Sequence, residues 1–113
     1  CVAINPNDYI SFPDDSFENM AKVSKKHGFG FPYLIDENQE ISKKYESICT
    51  PDFFGYNKDL ELQYRGRFDD RGTKSVMNPN QSDLFKAMFA ISRTGKGPVE
   101  QQPSIGCSIK WRK

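Results

Sequence analysis

The sequence predicts an α/β domain in which a parallel strand, helix, strand crossover is followed by an antiparallel hairpin and a closing helix. Three observations carry this. Two short continuous apolar runs, Cys1–Asn5 and Phe31–Ile35, flank a helix with its own start and stop signals, the pattern of a right-handed parallel crossover. Two strand-like runs, Phe53–Tyr56 and Leu60–Arg67, are separated only by the turn-forming Asn57-Lys58-Asp59. From Ser82 to Thr94 apolar residues recur at helical spacing.

The first run ends in Asn5-Pro6-Asn7-Asp8, where Pro6 and Asn7 stop a strand. Asp15, with Glu18 three residues on, supplies a cap for a helix that carries Phe17, Met20 and Ala21 at helical spacing and ends at Lys25-Lys26-His27-Gly28. Between Glu37 and Glu46, Ile41 and Tyr45 stand four apart in polar surroundings, which suggests a short helix lying on a sheet. In Ile48-Cys49-Thr50-Pro51-Asp52-Phe53-Phe54 the proline opens an apolar strand, where a missing ladder donor is tolerated. Residues 69–81, with Gly72, Asn78, Pro79 and Asn80, read as a polar surface loop. In the last helix Leu84, Met88 and Ile91 form one stripe, Phe85 and Phe89 widen it, and Gly95 ends it. Gly97 to Pro103 is linker-like, and Ser104 to Trp111 alternates apolar with polar residues, as expected of a tail docking back on the body.

The bulk properties narrow the function classes. A chain of 113 residues is the size of one small domain, so one core is the default, with residues 1–95 forming the body and 96–113 the tail. Sixteen basic residues against 15 acidic give a net charge of +1, so no global field draws the chain to nucleic acid or anionic lipid. Aromatic residues make up 13% of the chain, enough apolar bulk for a packed structure. No apolar run approaches the roughly 20 residues that cross a bilayer, so neither a membrane nor a nucleic-acid partner is expected. The opening at Cys1, inside an apolar run, reads as the middle of a protein from which an N-terminal part is missing, and any targeting signal with it. A cytoplasmic setting is the first expectation and a periplasmic one the second. Three cysteines, Cys1, Cys49 and Cys107, are too few and too far apart for a disulfide-dense scaffold or a zinc knuckle.

Six segments, in order, carry a family resemblance: Val2-Ala3-Ile4-Asn5-Pro6-Asn7-Asp8, Asp15-Ser16-Phe17-Glu18-Asn19-Met20, Phe31-Pro32-Tyr33-Leu34-Ile35-Asp36, Cys49-Thr50-Pro51-Asp52-Phe53-Phe54, Tyr64-Arg65-Gly66-Arg67-Phe68-Asp69-Asp70 and Pro103-Ser104-Ile105-Gly106-Cys107. Together they resemble the thioredoxin-like alkyl hydroperoxide reductase and thiol-specific antioxidant group, the peroxiredoxin-like branch. The resemblance implies a three-layer thioredoxin-like fold with a mixed sheet and a C-terminal hairpin, lacking its first core strand and helix. It implies thiol-disulfide exchange by a Cys-x-x-Cys pair at the start of that helix, a spacing that occurs nowhere in this chain. The partner implied is a thiol or disulfide protein, or a peroxide, with no cofactor and no metal. Thr50-Pro51 is similar to the family's cis-proline loop, which faces the dithiol and offers backbone to an extended substrate by strand addition. The absent strand belongs between those equivalent to Cys1–Asn5 and Phe53–Tyr56. The slot is then expected to be closed by direct pairing of its neighbours, or filled by a second copy or a swapped segment.

Each candidate has a plainer alternative. Cys49 is a possible resolving thiol beside the proline, but free cysteine is among the most buried residue types, and a packing role is the ordinary one. Cys107 lies in a tail that can pair with Cys49, pair with the absent dithiol, or simply pack. Cys1 reads as a strand residue. His27 suits the negative end of a helix dipole better than catalysis. Asp69-Asp70-Arg71 reads as solvated loop, Asn80-Gln81-Ser82 as a helix cap rather than a glycosylation acceptor, and Gly28-Phe29-Gly30 lacks the setting of a phosphate loop. Lys110-Trp111-Arg112-Lys113 is an ordinary basic end. The competing function is a non-enzymatic thioredoxin-like binding module that keeps the surface without the redox pair.

Overall fold

The computed structural model describes residues 1–69 and 82–112. Its elements are β1 (Ala3–Asn5), a single 3-10 turn (Pro13–Asp15), α1 (Phe17–His27), β2 (Tyr33–Ile35), α2 (Glu40–Lys44), β3 (Cys49–Thr50), β4 (Phe53–Tyr56), β5 (Leu62–Gly66), α3 (Asp83–Thr94) and β6 (Cys107–Ser108). The class is α/β, with one parallel and two antiparallel ladders. Apart from Asp69, the loop expected over 69–81, with Asp70, Arg71, Gly72, Asn78, Pro79, Asn80 and Gln81, lies outside the described residues. Among the described residues no helix is long and apolar enough to cross a membrane. The chain divides into two compact units, Cys1–Ser47 with Ile109–Lys113, and Ile48–Ser108. The segment after residue 95 therefore contributes to both.

In the first unit β1 and β2 pair in parallel, Ala3 with Tyr33, Ile4 with Leu34 and Asn5 with Ile35, and α1 connects them. The cap of α1 is Ser16, whose hydroxyl accepts from the Asn19 amide at 3.2 Å, and not Asp15. Asp15 is held in the preceding turn. Its carboxylate accepts from Asn7 Nδ2 at 3.1 Å and its carbonyl from Asn5 Nδ2 at 2.8 Å, so the capping role passes one residue on. Gly28, at φ 62°, ends the helix with its amide on the Lys25 and Ser24 carbonyls. Of the expected apolar positions Phe17, Met20 and Ala21, only Met20 is buried.

The interior of this unit is largely polar, with Asn5, Asp8, Asp36, Gln39 and Ser42 buried. The Asp36 carboxylate caps α2 by accepting from the Ile41 and Ser42 amides at 3.3 and 2.7 Å and from the Ser42 hydroxyl at 2.8 Å. Ile41 and Tyr45, expected to hold α2 on a sheet, are exposed, because a helix anchored through Asp36 turns Ser42 inward instead. Gln39 donates to the Pro6 and Lys110 carbonyls at 2.8 and 2.9 Å and accepts from the Arg112 amide at 2.9 Å. Lys110 and Arg112 are thus tied into this unit: the Lys110 backbone amide donates to Asn7 Oδ1 at 2.9 Å, and the Arg112 guanidinium lies over the Tyr9 ring.

In the second unit β4 and β5 form the expected hairpin, with a bulge at Gly55/Tyr56. Asn57 organises its turn, accepting from the Asp59 and Glu61 amides at 2.9 and 3.0 Å and donating to the Gly95 carbonyl at 3.1 Å. Ser82 caps α3, accepting from the Phe85 amide at 3.1 Å. The helix lies on the hairpin, where Tyr64, Ala87 and Ile91 form the buried cluster and Phe53 and Leu84 pack against it. Gly55 permits the close approach, since a Cβ there would stand 2.5 Å from Met88 Sδ and 3.3 Å from Tyr64 Cβ. Of the expected stripe, Leu84 and Ile91 face inward, whereas Met88, Phe85 and Phe89 stay exposed and the smaller Ala87 takes the buried place.

β3 pairs with β6, Cys49 opposite Ser108 and Thr50 opposite Cys107. Among the described residues the sheet content is three two-stranded ladders, β1-β2, β3-β6 and β4-β5. Within these residues β2 is the one strand neighbour of β1, and β5 that of β4.

Candidate functional site

All four residues singled out by the sequence, Cys49, Thr50, Pro51 and Cys107, lie in the second unit, brought together by the β3-β6 ladder. The Thr50-Pro51 peptide bond is cis, as the resemblance implied. Thr50 is half-buried and Pro51 exposed. The C-terminal segment runs tightly along them. The Thr50 hydroxyl donates to the Cys107 carbonyl at 3.4 Å, and the Ser104 hydroxyl donates to Asp52 Oδ1. A Cβ on Gly106 would stand 2.0 Å from the Thr50 carbonyl oxygen and 3.2 Å from Pro51 Cδ, so only glycine lets the backbone lie this close.

The ladder register separates the two cysteines. Side chains alternate across a strand, so Cys49, opposite Ser108, and Cys107, opposite Thr50, project from opposite faces. Their exposure agrees: Cys49 is 8% exposed, Cys107 is open to solvent, and both thiols are free. A disulfide between them, one of the pairings left open by the sequence, does not suit this arrangement. Burial pushes the Cys49 thiol up, the Asp52 carboxylate adds to the effect, and the Arg65 guanidinium opposes it. Its Sγ lies 3.8 Å from the Pro51 carbonyl. Burial thus opposes ionisation of the Cys49 thiol, and Cys107 is the accessible sulfur of the pair.

The sequence reading missed Asp52, Arg65 and Ser104. The Asp52 side chain is 4% exposed with Arg65 Nη2 3.6 Å from Oδ2, and that oxygen has no hydrogen-bond partner among the described residues. Around them lies a pocket of about 390 Å³ walled by Ile48, Asp52, Arg65, Gly66, Pro103 and Ser104. The signal available beforehand was an acid directly after the proline and an arginine in the strand that pairs with Phe53-Phe54. Among the described residues no group of three or more His, Cys, Asp or Glu could hold a metal ion. His27, at the end of α1, stacks near Phe29 with ring centres 6.3 Å apart.

Two solved structures match 98% of this chain. A hypothetical protein from Sinorhizobium meliloti 1021 is 42% identical with a TM-score of 0.89, and an uncharacterized conserved protein from Geobacillus kaustophilus is 45% identical with a TM-score of 0.86. The chain spans 61% of the first and 59% of the second. No family model and no curated protein matches it.

Proposed function

We propose that this chain is the substrate-positioning part of a thioredoxin-like thiol-disulfide oxidoreductase of the peroxiredoxin-like branch, with the attacking dithiol supplied by polypeptide outside these residues. The observation that carries the reading is the edge next to Pro51, where Cys49-Thr50 pairs antiparallel with an extended cysteine-bearing segment, Cys107-Ser108, and Gly106 lies against the Thr50 carbonyl. That is how a strand-adding thiol substrate would lie. The exposed face of the parallel pair lends support. Strands of parallel sheets are ordinarily covered on both faces, yet the register partners Ile4 and Leu34 are 42% and 50% exposed. A covering segment is called for, and the structural neighbours are long enough to hold one.

In this reading an attacking thiolate of the dithiol displaces one sulfur of a bound disulfide, forming a mixed disulfide and releasing a thiolate. The second cysteine then resolves it, so the substrate gains two electrons and the dithiol becomes a disulfide. With a hydroperoxide, the thiolate takes one oxygen as a sulfenic acid, an alcohol or water leaves, and the second thiol condenses to a disulfide with loss of water. This chain contributes alignment: Thr50 and Pro51 fix the substrate backbone, while Cys49, buried and protonated, stays out of exchange.

Insulin-disulfide reduction and hydroperoxide consumption test the reading, measured on this chain and on a chain extended to the length of the structural neighbours. The extended chain is expected to turn over and this one is not. Robust turnover by the 113-residue chain, or adjoining sequence without a Cys-x-x-Cys pair, overturns it. The second outcome favours a non-enzymatic binding module, a reading supported by the burial of Cys49, the one thiol beside the proline in sequence.

A further inference from the structure

We propose that the segment Ser104–Ser108 is a built-in occupant of the substrate edge at Thr50-Pro51, a self-inhibiting strand that an extended partner must displace, and that the partner this edge accepts carries glycine immediately before its cysteine. The inference rests on the functional reading above and adds to it how access is controlled and which peptide fits.

Three contacts define the occupant. β6 lies along both residues of β3, so while the tail is seated the edge of β3 that faces it is closed to a second strand. Gly106 lies against the Thr50 carbonyl so closely that any side chain would overlap it, which makes glycine the requirement of the edge itself. Ser104 fastens the segment upstream through its hydroxyl on Asp52. The ladder is only two residues long, and the tail residues Ile105, Gly106, Cys107 and Ser108 are all exposed, so the strand is held by few contacts and buries little apolar surface.

The ground it covers is chemically specific. Pro103 and Ser104 line the pocket together with Asp52 and Arg65. The second carboxylate oxygen of Asp52 is buried without a hydrogen-bond donor among the described residues. A competing peptide with a hydroxyl three residues before its cysteine can replace the Ser104 contact, and a carboxamide there, with two N–H donors, can reach the second oxygen as well. The fitting partner is an extended segment of the form hydroxyl residue, any residue, glycine, cysteine, running antiparallel to β3.

The test is binding of a fluorescein-labelled peptide Ser-Ile-Gly-Ser-Ser-Ile-Lys, its cysteine replaced by serine to exclude covalent exchange, to the unaltered chain and to the Ser104→Ala and Gly106→Val variants by anisotropy. Backbone hydrogen exchange across residues 49–52 is followed in parallel. A site closed most of the time has its apparent affinity reduced by the open fraction, so Gly106→Val should bind roughly tenfold or more tighter than the unaltered chain, with Ser104→Ala between them. Exchange over residues 49–52 should quicken in the same order in the absence of peptide. Ser104→Ala adds no atoms and keeps the test decisive if Gly106→Val fails to fold. Equal binding by all three chains overturns the inhibitory strand and leaves the oxidoreductase reading standing. Failure of every chain to bind, with exchange quickened in the variants, overturns the edge as a substrate site and that reading with it.

Discussion

The two units are held together by different chemistry. In the second, an apolar cluster of Tyr64, Ala87 and Ile91 sits between a hairpin and the helix across it. In the first, the buried groups are chiefly Asn5, Asp8, Asp36, Gln39 and Ser42, joined by hydrogen bonds, while Ile4, Leu34 and Phe17 remain open. Apolar packing is tolerant of small errors in geometry, whereas a buried polar network stabilises only while every member is satisfied. The first unit should thus be the more brittle of the two, and the more dependent on further polypeptide.

The largest effect expected is from Asp36→Ala. It leaves the Ile41 and Ser42 amides and the Ser42 hydroxyl without their acceptor, and should lower unfolding stability by roughly 4 kcal/mol, with exchange of the α2 amides accelerated first. A loss as small as that of a surface substitution would show that the polar network does not hold the first unit. Ile91→Ala removes a buried side chain from the apolar cluster and should cost about 3 kcal/mol by the shift in urea midpoint. Because the cluster can partly collapse, exchange should quicken over α3 and β4 while α2 is unaffected.

A smaller effect sharpens the same contrast. Ile4→Ser should change stability in this chain by about 0.5 kcal/mol or less, as expected for a half-exposed position. In a chain extended to the length of the neighbours the same change should cost about 2 kcal/mol, the value of an apolar side chain that has been covered. Equal, small losses in both would remove the argument from the exposed face. The smallest effect is on the alkaline side. The Cys49 thiol is raised by burial, so its contribution to stability is fully present at neutral pH and is lost as pH climbs past 9.0, the ordinary thiol value, while the unfolded chain ionises and the folded one does not. Replacing Cys49 with Ala should flatten that alkaline slope, and in the native protein Cys107 should alkylate well before Cys49.

How much of this was legible in the sequence follows the same division. The hairpin and last helix were readable because Asn57, Ser82 and Gly95 mark turns and caps locally, and Leu84 and Ile91 fall at helical spacing. In the first unit apolar spacing misled: Phe17, Ala21, Ile41 and Tyr45 have the right period but are exposed, because Asn5 holds α1 through Met20 and Asp36 holds α2 through Ser42, contacts that no periodicity reveals. The Thr50-Pro51 loop was found through resemblance and not through spacing. Asp52, Arg65 and Ser104 were missed because three separate segments supply them, and the tight seat of Gly106 depends on the register of a two-residue ladder.

The central claim is that Thr50 faces a reactive sulfur pair contributed from elsewhere in the polypeptide. The most direct measurement is cross-linking in a chain extended to the neighbours' length, carrying Thr50→Cys together with Cys107→Ser so that the thiol opposite position 50 cannot capture it, with linked peptides identified by mass spectrometry after mild oxidation. A disulfide joins cysteines only when their Cβ atoms approach to about 4 Å, so a link from position 50 to the Cys-x-x-Cys pair is the expected product. A position 50 that stays unlinked while the pair oxidises internally, or an adjoining segment with no such pair, would contradict the account.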